Sequence, residues 1–194
     1  MNLFIASELN WEEKGFKLRQ DTKFPQQPGT SLVVTAATPV AMPIRLRVPG
    51  WLATAPVVKV NGKAVDASAE PGSYLTLART WKTGDRVEVE LPMHLSMESL
   101  PDDRSLQAFL YGPVVLAADL GPAPPRRARA EGAPPQARPQ FEAPTFTATG
   151  DASSWIKPAD GPLAFHTTGQ TKDYPLVPLN SIFDKQYLVY LKVT

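Results

Sequence analysis

Glu8 and two pairs of adjacent carboxylates, Glu12 with Glu13 and Asp102 with Asp103, are the carboxylic side chains in this sequence that could perform acid–base chemistry. Hydrolysis of a glycoside, for example, uses two carboxyl groups about 5 Å apart for retention, or roughly 6.5–9.5 Å apart for inversion. One of the two must have a raised pKa, which an apolar pocket provides. No apolar pocket motif surrounds either pair, and aspartate is common in turns. We therefore interpret both pairs as solvated turn residues and assign no catalytic residue.

Histidine and cysteine chemistry is nearly absent from the sequence. There is no cysteine, which excludes disulfides, thiolate metal ligands and a cysteine nucleophile within these 194 residues. The two histidines, His94 and His166, are far apart and have no neighbouring carboxylate or thiolate in a metal-binding spacing. No serine motif accompanies either one as a general base would require. The sequence thus predicts no metal site and no cofactor.

The four tryptophans are the remaining side chains that could bind a ligand, because an exposed indole can stack on the C–H face of a sugar ring. Trp51 follows a Pro-Gly corner and Trp81 precedes a tight turn, and both positions favour packing in a core. Trp11 lies in the polar stretch from Glu8 to Lys14. We therefore take Trp11 and Trp155 as the candidate ligand-binding residues.

The overall charge argues against two large classes of partner. The formal net charge is +1, which disfavours nucleic acid and an anionic membrane surface as partners. No run of about 18–20 apolar residues could cross a membrane. The N-terminal residues lack the basic start and long apolar run of a signal peptide, and the sequence assigns no compartment.

Short runs with a period of two dominate the first 120 residues, as expected of half-buried strands. The alternation is clearest in residues 16–20, 44–48, 74–77 and 87–91. Residues 57–65 contain Asn61-Gly62 between two such runs, which predicts a hairpin with a type I′ turn. Two apolar runs, 106–111 and 114–118, meet at Gly112-Pro113, and a last strand is predicted over 187–191.

These elements predict an all-β fold: an antiparallel β-sandwich or jelly-roll-like domain over residues 1–120. Residues 121–140 contain six prolines and four arginines against one glutamate, which favours a linker or a mobile loop. The arginines of this segment could bind an acidic partner, but no aromatic residues are interleaved with them, so a solvated linker is the preferred interpretation. Residues 141–194 predict a small β-rich segment packed on or beside the sandwich, since so short a segment would be marginal alone.

Seven phrases in the first 120 residues resemble, in order and spacing, the C-terminal region of glycoside hydrolase family 127, the β-L-arabinofuranosidase-like enzymes of bacteria. The phrases are SELNW at residues 7–11, RLRVPGW at 45–51, VKVNG at 58–62, GSY at 72–74, WKTGD at 81–85, LPM at 91–93 and LYGPVVL at 110–116. The resemblance implies a parent protein with an (α/α)6 catalytic barrel followed by β-sandwich domains. It also implies catalysis by a cysteine nucleophile held on zinc by further cysteines and a glutamate, all within the barrel. This sequence has no cysteine and no barrel, so no catalytic position is carried over to it.

Two functions remain from this reasoning. The first is a non-catalytic accessory region that docks beside the catalytic (α/α)6 barrel of a glycoside hydrolase. An exposed apolar patch near Leu3, Phe4, Ile5 and Trp11 is expected for that contact. The second is an independent carbohydrate-binding module, which requires two or more coplanar aromatic rings exposed on one face.

Overall fold

The structure is a computed structural model that describes residues 1–66, 68–123, 143–148 and 150–194. The chain divides into two compact units, Met1–His94 and Leu95–Thr194. Of the predicted Pro/Ala/Arg-rich linker at 121–140, residues 124–140 lie outside the described residues.

The described residues of the first unit form eight strands. They are β1 (Ser7–Trp11), β2 (Phe16–Thr22), β3 (Gly29–Ala36), β4 (Val40–Arg47), β5 (Val57–Val60), β6 (Lys63–Val65), β7 (Tyr74–Trp81) and β8 (Arg86–Glu90). One sheet has the strand order β1-β2-β3-β8-β5-β6, and β4 pairs with β7 in a second, two-stranded sheet. A single 3-10 turn, Glu12–Lys14, joins β1 to β2.

The core of the first unit forms where the two sheets bury their alternate residues. In β4, Ile44 and Leu46 are buried while Arg45 and Arg47 are exposed, as the period of two predicts. These side chains join one cluster with the buried residues of the larger sheet. Each fully buried Leu, Ile or Val side chain contributes about 1.5–3 kcal/mol relative to an exposed one. The cluster contains Phe4, Phe16, Leu32, Val34, Ile44, Leu46, Val48, Leu52, Val58, Val60, Leu75, Leu77, Trp81, Val87, Val89 and Leu91.

A polar side chain, Gln20, is buried on the core side of β2. Its Nε2 donates hydrogen bonds to the Thr30 hydroxyl at 3.1 Å and to the Leu3 main-chain oxygen at 3.2 Å. Both amide hydrogens are thereby used, which offsets the cost of removing the amide from water. The bond to Leu3 also ties the segment before β1 to the sandwich.

The hairpin predicted at Asn61-Gly62 is confirmed. Val60 pairs with Lys63, and the two residues between them have φ values of 52° and 74°, as a type I′ turn requires. The Asn61 side chain adds two bonds, since its Nδ2 donates to Asp85 Oδ1 at 2.8 Å and its Oδ1 accepts from the Arg86 N–H at 2.8 Å. The turn is therefore held to the start of β8.

Besides a 3-10 turn at Leu179–Ser181, the described residues of the second unit form nine strands and one short α-helix. They are β9 (Leu95–Ser99), β10 (Leu106–Tyr111), β11 (Val114–Pro122), β12 (Thr145–Phe146), α1 (Ala152–Trp155), β13 (Ile156–Pro158), β14 (Phe165–Thr167), β15 (Pro175–Pro178), β16 (Lys185–Leu188) and β17 (Tyr190–Val193). The sheet has the order β12-β17-β10-β11-β15-β14-β13, and β9 pairs with β10 while β16 pairs with β11. The expected all-β, antiparallel fold class is confirmed, with β12–β17 as a parallel pair.

The division between the units lies earlier than the sequence boundary near residue 120. β10 pairs with β17, and β11 pairs with β15 and β16, so both central strands share a sheet with the C-terminal residues. The period of a strand identifies its buried face but not its partner, because neighbours in a sheet can be far apart in the chain. Sequence reasoning therefore grouped β10 and β11 with the strands that precede them.

The closing strand predicted over residues 187–191 is two strands. Tyr187 in β16 pairs with Asp119, whereas Tyr190 in β17 pairs with Ala108. This unit has a hydrophobic core of its own. It contains Phe109, Leu116, Ala118, Phe146, Ala152, Trp155, Ile156, Phe165, Leu176, Leu191 and Val193.

Candidate functional site

Strand β1 lies at one edge of the six-stranded sheet of the first unit. It turns apolar side chains toward the core side of that sheet. Leu9 is opposite Leu18 of β2, and Trp11 is opposite Phe16. Directly paired residues project from the same face of a sheet. Phe16 is fully buried and Leu18 packs on the core, so this face is the core side. Leu9 and Trp11 therefore also lie on the core side. Yet 50% of Leu9 and 40% of Trp11 remain exposed. The core face of the sheet thus continues onto β1 beyond the residues that cover it.

The segment before β1 carries two further exposed apolar side chains. Phe4 is buried and packs on Phe24 at a ring distance of 5.5 Å, while its neighbours Leu3 and Ile5 are 61% and 59% exposed. The segment is held in place by its backbone, because the Arg47 N–H donates to the Met1 oxygen at 3.0 Å. The hydrogen bond from the Gln20 side-chain amide to the Leu3 oxygen holds the same segment. With these two bonds in place, Leu3 and Ile5 face the solvent.

Leu3, Ile5, Leu9 and Trp11 are named here the N-terminal apolar surface. The sequence predicted exposed apolar residues at this place, but it included Phe4, which the structure buries, and it missed Leu9. The alternation of an extended chain is the signal that could have separated Phe4 from Leu3 and Ile5. The same alternation along β1 places Leu9 with Trp11.

Trp11 is exposed but does not belong to an aromatic platform. The Lys14 ammonium lies 5.6 Å from its ring centroid, within the range of a cation–π contact. The ring pairs described within the first unit join Phe4, Phe24 and Trp51, and none of them includes Trp11. A single ring without a coplanar neighbour does not meet the requirement set for a carbohydrate-binding module.

Trp155 lies in the core of the second unit. Its side chain is 3% exposed and meets Phe109 edge-on at 5.2 Å and Phe146 at 6.1 Å. Neither face of the ring is open to a ligand, so the geometry gives no support to Trp155 as a sugar contact. Its indole N–H has no hydrogen-bond partner among the described residues. Sequence analysis missed this burial because Trp155 lies among turn residues with no readable period.

Trp51 and Trp81 pack as the sequence predicts. Trp51 is partly buried and stacks on Phe24, with 5.7 Å between ring centroids and 20° between planes. Trp81 is fully buried, and its indole N–H donates to the Met42 oxygen at 3.0 Å. Both rings therefore stabilise the sandwich.

The carboxylate pairs occupy turns. Glu12 and Glu13 form the 3-10 turn after β1, and all of its residues are solvent-accessible. Asp103 accepts hydrogen bonds from the Ser105 hydroxyl and from the Ser105 N–H, and these bonds hold the pKa of Asp103 below its usual value. A glycosidase acid needs the opposite shift. The geometry of Asp103 is that of a capped turn.

The histidines are not assembled with further ligands. His94 ends the first unit, and His166 lies in β14, opposite Lys157 on one side and Pro175 on the other. Among the described residues, no three His, Cys, Asp or Glu side chains lie close enough to hold a metal ion. Within that same part of the chain, no helix is long and apolar enough to cross a membrane.

The first unit coincides with a known domain family. Residues 1–93 match the family model described as the GH127 middle domain of β-L-arabinofuranosidase. The resemblance predicted from sequence is confirmed. The match ends one residue before the division between the two units.

Solved glycoside hydrolase structures, two of them GH127 enzymes, share the fold over almost the whole chain. A glycoside hydrolase aligns with a TM-score of 0.71 and 19% identity, covering 99% of this chain and 35% of its own. A GH127 β-L-arabinofuranosidase from Geobacillus stearothermophilus T6 aligns with a TM-score of 0.64 and 22% identity, covering 99% and 33%. Another GH127 β-arabinofuranosidase gives 0.67 and 22%, covering 97% and 33%. The chain thus spans about a third of the length of these structures, and no curated protein matches its sequence.

Proposed function

We propose that residues 1–194 are a non-catalytic accessory region of a GH127-like glycoside hydrolase, and that a catalytic domain outside these residues performs the hydrolysis. The observation that carries the proposal is the match of residues 1–93 to the GH127 middle domain. The coverage of about a third of each aligned glycoside hydrolase supports it, because two thirds of those chains lie outside the alignment.

The N-terminal apolar surface is the proposed contact with the catalytic barrel. Leaving Leu3, Ile5, Leu9 and Trp11 in water sacrifices roughly 25 cal/mol for each Å² of apolar area that a partner would cover. Exposed apolar residues such as these are typical of a surface that another domain covers, and Leu9 and Trp11 also continue the core face of the sheet. A barrel packed here would complete the sandwich at β1.

The chemistry within the described residues is consistent with a supporting role. The carboxylates singled out from the sequence lie in turns, and the pKa of Asp103 is lowered by hydrogen bonds from Ser105. Stiffening the catalytic domain and bordering its substrate cleft are the contributions we assign to the chain.

The carbohydrate-binding alternative is not supported. It needs at least two coplanar exposed rings, and Trp155 is buried while Trp11 belongs to none of the described ring pairs. No observation therefore favours it as a second proposal.

The test begins with the coding sequence on both sides of residues 1–194. If it encodes a catalytic domain, the longer protein is expressed with and without these residues, and its melting temperature and its hydrolysis of arabinofuranosides are measured. We expect removal to lower the melting temperature and the activity, and we expect the 194-residue chain alone to release no sugar. Turnover by that chain alone would overturn the proposal.

A pair of matched variants in the longer protein locates the contact. Ile5→Lys places a charge on the N-terminal apolar surface, whereas Val57→Lys places the same charge at an exposed apolar residue of β5. We expect the first variant alone to lower the melting temperature of the longer protein. Equal melting temperatures for the two variants would place the contact elsewhere.

A further inference from the structure

The turn between β5 and β6 contains an Asn-Gly sequence, which is chemically labile in a flexible chain. The main-chain nitrogen of the glycine can attack the side-chain carbonyl carbon of the asparagine, because glycine has no side chain to hinder the approach. Asn61 and Gly62 are both exposed, so water also reaches the site. The local sequence therefore favours deamidation at Asn61.

The fold, however, holds the Asn61 amide at both of its polar atoms. The Nδ2 atom donates to Asp85 Oδ1 at 2.8 Å, and the Oδ1 atom accepts from the Arg86 N–H at 2.8 Å. Attack by the Gly62 nitrogen requires the Asn61 side chain to rotate so that its carbonyl carbon meets that nitrogen. The rotation breaks both bonds, and the bond to the Asp85 carboxylate is of the stronger, charge-assisted kind.

The Asp85 carboxylate is itself fixed in position. Its second oxygen, Oδ2, accepts from the Lys82 N–H at 2.8 Å, and the Asp85 N–H donates to the Lys82 oxygen at 3.1 Å. The Asp85 main-chain oxygen accepts from the Val34 N–H at 2.9 Å. Each carboxylate oxygen thus has its own donor, and the turn between β7 and β8 presents one of them to Asn61.

We infer that Asn61 is a modification site of this chain, and that Asp85 slows its deamidation in the folded state. When the contact opens, the Gly62 nitrogen forms a bond to the Asn61 side-chain carbonyl carbon, and ammonia leaves as a cyclic succinimide forms. Water then opens the ring to give aspartate or isoaspartate at residue 61. The inference is independent of the proposed function, because it concerns chemistry within the first unit and needs no catalytic domain.

The modification would also weaken the contact that restrains it. An aspartate at residue 61 has no side-chain N–H to donate, and it would place a second carboxylate against Asp85, where like charges repel. Isoaspartate would in addition lengthen the main chain within the turn that pairs Val60 with Lys63. Deamidation should therefore release the β5–β6 hairpin from the turn before β8.

The test is the rate at which residue 61 is converted, measured by peptide mass spectrometry after the purified chain has been kept at mildly alkaline pH. We expect slower conversion in the folded chain than in guanidinium chloride. Asp85→Ala should accelerate conversion in the folded chain about tenfold, because freeing the amide then breaks one hydrogen bond fewer. Asp85→Asn keeps an acceptor oxygen and should accelerate it less. Asn180, an exposed asparagine in the second unit, should react at the same rate in all variants.

Thr83→Ala is the matched control for general loosening of the turn before β8. The Thr83 hydroxyl donates to the Ala36 oxygen at 2.7 Å and accepts from the Ala36 N–H at 2.8 Å, so the variant loses two hydrogen bonds of the same turn without touching Asn61. We expect it to convert residue 61 at the rate of the unchanged chain. Equal acceleration by Thr83→Ala and Asp85→Ala, no acceleration by Asp85→Ala, or conversion as fast in the folded as in the denatured chain would each refute the inference.

A double variant tests the effect of the product on stability. Asn61→Asp reproduces the aspartate product and should lower the urea midpoint of the first unit. Combining it with Asp85→Asn exchanges donor and acceptor, since the new amide at residue 85 can donate to the new carboxylate at residue 61. The double variant should therefore recover most of the lost midpoint. A double variant no more stable than Asn61→Asp would show that the contact between residues 61 and 85 does not carry the effect.

Discussion

Trp81 and Met42 are joined by a hydrogen bond of 3.0 Å from the indole N–H to the main-chain oxygen, within the β4–β7 sheet. Trp155 is as deeply buried in the second unit, but its indole N–H has no partner among the described residues. The two tryptophans therefore differ in the polar part of their energetics while sharing a large apolar contribution.

The substitution of each tryptophan by phenylalanine should show this difference. Trp81→Phe leaves the Met42 carbonyl without its donor, which costs about 1–3 kcal/mol in addition to the lost apolar contacts. Trp155→Phe breaks no hydrogen bond among the described residues, so its unit should lose less. Hydrogen exchange read by mass spectrometry gives the opening free energy of each unit separately. Equal losses of opening free energy in the two variants would show that the hydrogen bond from Trp81 to Met42 contributes no stability.

The Asp85 carboxylate should make the first unit sensitive to acid. It accepts hydrogen bonds of 2.8 Å from the Asn61 side chain and from the Lys82 N–H, and these bonds lower its pKa below the usual 3.8. A lowered folded-state pKa gives stability that is present above the unfolded-state pKa and is lost as the pH falls through the folded-state value. Asp85→Asn should therefore reduce the loss of stability as the pH falls below the usual pKa of 3.8.

Urea unfolding of the first unit at several pH values measures this effect. Glu13→Gln removes a carboxylate from the exposed turn after β1 and serves as the control. We expect the control to keep the acid sensitivity of the unchanged chain. If both variants lose it equally, the bonds to Asp85 are not its cause.

Three glycine-to-alanine substitutions should separate steric from conformational cost. At Gly29, an added Cβ would lie 2.7 Å from the Val89 oxygen, so Gly29→Ala must displace backbone in the β3–β8 pair and should cost about 1–3 kcal/mol. Gly62 has open space but a φ of +74°, so Gly62→Ala should cost about 1–2 kcal/mol from its backbone alone. Gly50→Ala meets neither obstacle and should be close to neutral. Denaturant midpoints rank the three variants, and a neutral Gly29→Ala would show that β3 and β8 can separate locally.

Truncating neighbouring residues before β1 should give opposite results. Phe4→Ala removes a buried ring that packs on Phe24 and should destabilise the first unit by about 3–5 kcal/mol. Ile5→Ala removes a side chain that is mostly in water and should change the stability of the 194-residue chain by no more than about 0.5 kcal/mol. Thermal unfolding followed by circular dichroism compares the two. Similar melting temperatures would mean that the segment before β1 detaches in solution.

The sequence predicted elements whose local pattern decides their structure. The alternation at residues 44–48 identified β4, and Asn61-Gly62 predicted a type I′ turn that the two positive φ values confirm. Both depend on chemistry within a few residues: side chains on alternate faces, and the tolerance of Asn and Gly for positive φ.

The features that sequence reasoning missed depend on contacts between distant residues. Whether β10 belongs to the first or the second unit is decided by its pairing with β17, more than 75 positions later in the chain. Trp155 is buried by Phe109 and Phe146, and no local period indicates that contact. The exposure of Leu9 depends on how far the residues packed on the six-stranded sheet extend toward β1. The sequence of β1 itself does not predict that.

The buried amide of Gln20 also helps to fix the register of β2 against β3. A slip of β2 by two residues against β3 would preserve the alternation of apolar and polar faces, so apolar burial alone penalises it weakly. A slip that places Gln20 opposite Val34 would, however, move the Gln20 amide away from the Thr30 hydroxyl and leave one of its N–H groups in the core without that acceptor, at a cost of about 1–3 kcal/mol. One polar side chain thus lets the folding chain distinguish its native strand alignment from one that hydrophobicity would accept.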